Sequence, residues 1–216
     1  ELHLYNWSDY MPQALLDKFA EQYDVKVTQD TYDSNETLLA KLKSGVKGYD
    51  VAVPGDYMVA IMVKEGLLEN IHANKLSNFS KVKKDLINVY FDEGREYSVP
   101  YQFGTTAFMV DTAVYGGDIN TLDILFNPPA ELKGKINMFR DVNDVINAAL
   151  RYKGYETCNA NRKELKEVND MLKTASENWL SIQSDGAREM LVSGDAAVSM
   201  VWNGMALRAR QEKASL

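Results

Sequence analysis

The chain has 216 residues, 45% of them hydrophobic and 25% charged, with a formal net charge of −7. This length suits two domains of about a hundred residues each. The negative charge disfavours nucleic acid as a partner, because its phosphates would repel the protein, and suits small cations. A single cysteine, Cys158, excludes an intramolecular disulfide. The two histidines, His3 and His72, have no cysteines or clustered carboxylates near them in the sequence, so we expect no metal or cofactor site.

Strand and helix patterns alternate through the first half of the chain. The pattern predicts strands at 2–6, 25–27 and 50–54, helices at 12–23, 35–44 and 57–65, and a short extended piece at 67–71. Gly45 and Gly66 are placed to end the second and third helices. This order begins as a β-α-β unit, and the strand at 50–54 is expected to be buried and parallel. Residues 74–96 form the least regular stretch.

An extended run at 97–111, rich in Val, Tyr, Phe and Thr, is long enough to pass from one domain into another. Gly104, Thr105 and Thr106 are its expected flexing point. We therefore predict a first domain at 1–104 and a second at 105–216. In the second, the pattern predicts a turn at Pro128 and Pro129, strands at 135–139 and 196–202, and helices at 141–153, 163–180, 185–192 and 203–212.

Two aromatic residues bracket a hydroxyl and a carboxylate just after the first strand, at Trp7, Ser8, Asp9 and Tyr10. An aromatic face attracts an ammonium group, and a carboxylate adds a charge-assisted hydrogen bond. Since ligands of open α/β sheets lie beyond the carboxyl ends of strands, this position favours an organic-cation site. The alternative is that Trp7 and Tyr10 pack on the following helix.

The combination of strand end, acid and aromatic recurs at 50–57, where Asp56 and Tyr57 follow the predicted third strand. Asp56 is expected to cap the next helix. Asp141 and Asp144 lie three residues apart at the start of another helix, where the exposed amide groups and the macrodipole favour their ionised forms. Helix capping is the alternative role for this pair.

Four motifs in the same order give the chain a family resemblance: YNWSDY at 5–10, YDVAVPGDYMV at 49–59, VPYQFGTTAFMVD at 99–111 and VSMVWNGMA at 198–206. Over essentially its whole length the chain resembles the spermidine/putrescine (polyamine)-binding periplasmic proteins of ABC transporters. The resemblance implies an α/β, two-lobed periplasmic binding protein-like (type II) fold. It also implies a mature periplasmic protein from which the signal peptide is absent.

Chains of this family continue well beyond Leu216 and return to the first lobe. The resemblance thus implies an apparently truncated chain, whose first lobe lacks its usual C-terminal elements. If these residues are the whole polypeptide, uncovered apolar surface favours a dimer or segment exchange.

The resemblance also implies a set of ligand-binding residues: Trp7, Ser8, Asp9, Tyr10, Tyr57, Asp141, Asp144 and Trp202. Trp202 would place a flat ring against the methylene chain of the ligand, with core packing as the alternative. Three positions depart from the family. Asp144 stands where glutamate is usual, Gly55 where serine is common, and Met205 where some putrescine-preferring relatives carry an acid. The last departure weakens a strict putrescine assignment.

The function that these implications support is capture of spermidine or putrescine between two lobes and delivery to an ABC permease, with no bond made or broken. One alternative is a binding protein for another small cationic or amino compound. Another is a ligand-sensing module for a receptor, which shares every predicted binding residue and differs only in its partner. An enzyme would use Asp141 and Asp144 as an acid–base pair. Since no nucleophile–histidine arrangement, metal spacing or glycine-rich phosphate loop accompanies them, we expect no catalysis.

Overall fold

A computed structural model describes residues 1–216 and divides the chain into two units, Glu1–Phe103 and Gly104–Leu216. The division falls one residue before the expected boundary. None of the helices combines the length and the apolar character that a membrane crossing requires.

The first unit is built on a small parallel sheet. Its elements are β1 (Leu2–Trp7), α1 (Gln13–Tyr23), β2 (Val27–Tyr32), α2 (Asn35–Lys43), β3 (Val51–Ala52) and α3 (Asp56–Lys64), followed by 3-10 turns at Ala73–Lys75, Phe79–Lys81 and Lys84–Leu86. The strand order is β2-β1-β3, and both pairs are parallel. Because parallel strands end at the same edge of a sheet, the loops after β1, β2 and β3 share one edge.

Three details of the first unit differ from the sequence predictions. β2 covers Val27–Tyr32 rather than 25–27, and its pairing with all six residues of β1 outweighs its polar composition. The third strand is only Val51–Ala52. It forms an edge of the three-stranded sheet, so that Val51 is 45% exposed instead of buried. The piece at 67–71 is not a strand, and its last residue, Ile71, donates a backbone hydrogen bond to the carbonyl oxygen of Glu96 at 3.0 Å.

The second unit contains a mixed four-stranded sheet. Its elements are β4 (Thr106–Val110), α4 (Asp123–Phe126), a 3-10 turn (Ala130–Leu132), β5 (Ile136–Met138), α5 (Val142–Tyr152), α6 (Arg162–Ser176), β6 (Ser181–Ile182), α7 (Ala187–Ser193), β7 (Val198–Trp202) and α8 (Asn203–Glu212). The strand order is β4-β7-β5-β6, with β4 antiparallel to β7 and the other pairs parallel. The sequence patterns missed the short elements α4 and β6.

Among the predicted elements of the second half, two are much shorter than expected. Only Thr106–Val110 of the extended run 97–111 forms a strand, and the helix expected at 163–180 ends at Ser176. The core lies where both faces of the central strands are covered. It includes Ile136, Met138, Val198 and Met200 from the strands and Ala149, Leu150 and Val168 from the helices. This core fixes β5 and β7 side by side, with their carboxyl ends at one edge.

Candidate functional site

Four aromatic rings form a cluster at the carboxyl edge of the first sheet, which we call the first-unit aromatic cluster: Trp7, Tyr10, Tyr32 and Tyr101. Trp7 and Tyr32 are the last residues of β1 and β2 and are register partners. Their ring centroids lie 4.8 Å apart, and the Trp7 ring lies 5.9 Å from that of Tyr10. Tyr101 extends the cluster, with its ring 6.3 Å from Tyr10.

One backbone carbonyl holds two of these rings in place. The indole N–H of Trp7 donates to the carbonyl oxygen of Val53 at 2.7 Å, and the hydroxyl of Tyr32 donates to the same oxygen. Trp7 is only 6% exposed, so most of its ring is part of the packed core. Burial raises the pKa of the Tyr32 hydroxyl, which therefore stays protonated as a donor.

The three residues after Trp7 turn the chain away from β1. The backbone N–H of Ser8 lies 3.4 Å from the carbonyl oxygen of Tyr32. Asp9 is exposed and has a φ of 61°, a left-handed conformation that Asp tolerates better than most residues. The carbonyl oxygen of Tyr10 accepts a hydrogen bond from the hydroxyl of Tyr101 at 2.7 Å. The exposed carboxylate of Asp9 thus lies next in sequence to a half-buried aromatic.

Tyr57 lies beyond the neighbouring strand β3, in the first turn of α3. Its hydroxyl donates to Glu36 Oε1 at 3.1 Å. Asp56 is the first residue of α3 rather than its N-cap, which is Gly55, although Asp56 Oδ1 accepts the Tyr57 backbone N–H at 2.7 Å. Gly55 donates its N–H to Asn35 Oδ1 at 2.8 Å, and a Cβ atom at this position would approach Asn35 Nδ2 to 3.0 Å. The contact with Asn35 explains why glycine suits this position.

Both acids of the second unit lie at the start of α5, directly beyond β5. Asp141 is the N-cap, is 5% exposed and accepts the backbone N–H of Asp144 at 3.2 Å. The capping alternative is therefore correct for the geometry of Asp141. An ionised N-cap also stays an acceptor for other donors, because a carboxylate has about four lone-pair positions.

Strand β4 connects Asp144 and Trp202, because its first residue, Thr106, contacts the one and pairs with the other. Asp144 Oδ2 accepts a hydrogen bond of 2.9 Å from the hydroxyl of Thr106, the first residue of β4. Thr106 is the register partner of Trp202, the last residue of β7. The Trp202 ring lies 4.7 Å from that of Phe139, two residues before Asp141, so it is half-buried against the core. We call Asp141, Asp144 and Trp202 the second-unit acidic edge.

The structure thus brings Trp7, Ser8 and Tyr10 together at one sheet edge, and Asp141, Asp144 and Trp202 together at another. Asp9 shares the loop of the first group, and Tyr57 follows the adjacent strand. Sequence reasoning missed four supporting residues: Tyr32, Tyr101, Thr106 and Phe139. Two of them carry a readable signal, since Tyr32 ends a strand as Trp7 does and Phe139 directly follows one.

Comparisons with known proteins agree with this architecture. The sequence profile of a family described as bacterial extracellular solute-binding protein matches residues 14–215. The spermidine/putrescine-binding periplasmic protein of Escherichia coli K12 is 38% identical over 212 residues, which cover 97% of this chain and 60% of that protein. A putrescine-binding periplasmic protein of Pseudomonas aeruginosa is 32% identical, with 94% of this chain and 58% of that protein covered.

Solved structures of similar proteins share the fold. The structure of a protein from Listeria monocytogenes that is named as a spermidine/putrescine ABC transporter has a TM-score of 0.92 at 29% identity. The match covers 99% of this chain and 66% of that protein's chain. A Treponema pallidum lipoprotein has a TM-score of 0.83 at 33% identity, with 96% and 65% covered. The chain spans about 60% of the length of the curated relatives. The expectation of a periplasmic binding protein-like α/β fold of type II is confirmed, and the chain belongs to the family of bacterial extracellular solute-binding proteins.

Proposed function

We propose that this protein binds a linear polyamine, spermidine or putrescine, in the periplasm and delivers it to the permease of an ABC transporter. The second-unit acidic edge is the observation on which the proposal depends. Two carboxylates, Asp141 and Asp144, start α5 at the carboxyl edge of the sheet at which β7 ends with Trp202, and Asp144 is bonded to Thr106, the register partner of Trp202. The names of similar proteins support the ligand class, since those from Escherichia coli and Haemophilus influenzae are called spermidine/putrescine-binding.

The chemistry of this edge matches both parts of a polyamine. A protonated amine needs charge-assisted hydrogen bonds, which ionised carboxylates supply. The methylene chain between amines needs an apolar wall, and burying each methylene contributes about 0.8 kcal/mol. The ring of Trp202, held against Phe139, provides such a wall. The acids thus select for charge, while the ring adds affinity for the carbon chain.

The first unit supplies chemistry of the same kind. We assign ligand contacts there to Trp7, Ser8, Asp9, Tyr10 and Tyr57. Asp9 offers an exposed carboxylate, and the half-buried ring of Tyr10 lies 6.3 Å from the ring of Tyr101, whose hydroxyl donates to the Tyr10 carbonyl oxygen. In this role the protein captures and releases its ligand unchanged, so that binding free energy, rather than chemistry, drives the conformational response that a permease distinguishes.

The sharpest test separates the capping role of Asp141 from its proposed ligand role. Asp141→Asn removes the charge but keeps an efficient N-cap, because asparagine caps about as well as aspartate. We expect the substitution to weaken spermidine and putrescine binding at least tenfold in calorimetric titrations, with little change in melting temperature. The matched control is Asn161→Ala, which removes the N-cap of α6, where Asn161 Oδ1 accepts from Lys163 and Glu164.

Asn161→Ala should lower stability by about 1 kcal/mol and leave the affinity unchanged. Equal polyamine affinities for the unmodified protein and Asp141→Asn would refute the assigned role of the acid. A ligand panel with cadaverine and agmatine tests the alternative of another cationic compound, because two related Pseudomonas aeruginosa proteins are named for putrescine with cadaverine and putrescine with agmatine. Failure of all four amines to bind would refute the proposed function.

A further inference from the structure

The second unit contains a cavity of about 220 Å³ beside β4 and one face of α5. Its walls are mainly apolar and include Phe108, Leu122 and Met200. The polar side chains that line it from α5 are Asp144, Asn147 and Arg151. At about 30 Å³ per water in the liquid, this volume equals that of about seven water molecules, enough for a short linear organic molecule.

The charges of the cavity lie at opposite ends of its helical wall. Asp144, Asn147 and Arg151 follow one another at spacings of three and four residues, which places them on one face of α5. Asp144 is in the first turn and Arg151 in the last, so that their Cα atoms are about 10 Å apart along the axis. A carboxylate and a guanidinium therefore face the same apolar space from its two ends.

The carboxylate of Asp144 and the guanidinium of Arg151 differ in the hydrogen bonds that they make within the protein. Asp144 accepts a hydrogen bond from Thr106, which orients one of its oxygens. The guanidinium of Arg151 makes no hydrogen bond or ion pair with another residue. Arg151 is exposed, so water hydrates it in the free protein. A guanidinium presents N–H donors in a fixed fork that matches the two oxygens of a carboxylate, so Arg151 is well suited to bind an anionic group.

We propose that this cavity is a binding site for a linear zwitterion, an ω-amino acid whose ammonium pairs with Asp144 and whose carboxylate pairs with Arg151. The methylenes between the two groups lie along the apolar wall. A second ammonium at the far end is disfavoured by the charge of Arg151, so the cavity takes a different ligand class from the polyamine site, although the two share Asp144 and their ligands would compete for it. The site depends on Asp144 and Arg151 and does not require the proposed polyamine function.

Calorimetric titration with ω-amino acids of four to eight carbons tests the proposal. We expect saturable binding with a clear optimum at one chain length, and at least tenfold weaker binding of hexylamine and hexanoate, each of which lacks one charge. Arg151→Gln should weaken the best ligand at least tenfold. Arg208→Gln, at an exposed arginine of α8 that does not line the cavity, is the matched control and should leave the affinity unchanged.

The result also distinguishes this site from the polyamine site. Asp141→Asn, which tests polyamine binding, should retain the affinity for the ω-amino acid, because Asp141 does not line the cavity. Circular dichroism and the melting temperature of each variant show that the fold is preserved. If no amino acid of the series binds at millimolar concentration, or if Arg151→Gln and Arg208→Gln have equal effects, the two charges serve only to complement the dipole of α5 and the proposal is wrong.

Discussion

Thr106 and Asp144 are joined by a hydrogen bond of 2.9 Å between the first residue of β4 and the first turn of α5. The bond connects elements 38 residues apart in the sequence and fixes one oxygen of a carboxylate at the sheet edge. An oriented carboxylate loses less conformational freedom when it binds a cation, which is a source of affinity that does not require a further ligand contact.

Loss of the Thr106 hydroxyl should therefore weaken ligand binding even though Thr106 itself need not contact the ligand. For Thr106→Val we expect about a tenfold loss of polyamine affinity, because a hydrogen bond to a charged group contributes about 1.5–3 kcal/mol and part of this is recovered from water. Titration calorimetry measures the change. Thr112→Val is the control, since its hydroxyl donates to the Ser215 carbonyl oxygen at 2.7 Å, just beyond the other end of β4. Equal affinities for the two variants would contradict the orienting role.

Helices and strands could be predicted where the spacing of apolar residues and the residues typical of element ends indicate the same bounds. The strand Leu2–Trp7 and the helices Gln13–Tyr23 and Val142–Tyr152 lie within a few residues of their expected bounds. β2 was misplaced because its sequence after Val27 is polar until Tyr32, and pairing with β1 decides the structure of such a segment. Short elements such as β6 carry too few residues for any period to be read.

The candidate site shows the same limit. Sequence patterns can place Trp7, Asp141 and Trp202 at the ends of elements, whereas their assignment as ligand contacts rests on the family resemblance and stays a prediction. Thr106 and Tyr32 support them through strand register, which depends on how distant segments pair. Sequence reasoning therefore finds the residues at strand ends more readily than the residues that hold them.

Trp7 and Tyr32 should stabilise the first unit cooperatively, because both donate to the carbonyl oxygen of Val53. We expect Trp7→Phe and Tyr32→Phe each to lower the free energy of unfolding by about 1 kcal/mol or more. The double variant should lose more than the sum, by about 1 kcal/mol, because only then does the carbonyl oxygen lack both donors. Urea unfolding of the four proteins completes the cycle.

The control pairs Trp7→Phe with Tyr152→Phe, which removes a hydroxyl bonded to Asp123 in the other unit at 2.7 Å. Those two effects should add within about 0.5 kcal/mol. Strict additivity in the Trp7 and Tyr32 cycle as well would show that the shared acceptor does not couple them.

Asp92 organises the irregular segment that precedes the connection between the units. Its buried carboxylate accepts the backbone N–H groups of Glu96, Tyr97 and Ser98 at 2.8–3.3 Å, and the Ser98 hydroxyl at 2.7 Å. Asp92→Asn places an NH₂ group where an acceptor is required. We expect a loss of about 2–3 kcal/mol in the free energy of unfolding, together with faster amide exchange at Tyr97 and Ser98.

Asp118→Asn is the matched control for this effect, because exposed Asp118 accepts a single backbone N–H, that of Asn120, at 2.8 Å. It should change stability by less than about 0.5 kcal/mol. Unchanged exchange at Ser98 in Asp92→Asn would mean that the carboxylate is not what orders the segment.

An ion pair at the end of β4 should make stability depend on pH. Lys213 Nζ lies 2.7 Å from Asp111 Oδ2, and Asp111 is 1% exposed. Burial acts to raise the pKa of Asp111, but hydrogen bonds from Lys213 and from the segment around Ser215 hold the pKa below its usual value.

Since the folded-state pKa of Asp111 is lowered, the stabilising contribution of its charge is complete above the unfolded value of about 3.9 and is lost as pH falls through the folded value. Lys213→Met leaves the buried carboxylate without its cation, and we expect a loss of about 3 kcal/mol at pH 7. Urea unfolding of both proteins from pH 7 to pH 3 should show this difference shrinking as Asp111 is protonated. Lys166→Met removes an exposed pair with Asp170 and should cost less than about 1 kcal/mol at pH 7. A difference between Lys213→Met and the unmodified protein that stays constant down to pH 3 would show that the loss comes from the packing of the Lys213 side chain, because the other carboxylates titrate in both proteins and the two proteins differ only in the cation beside Asp111.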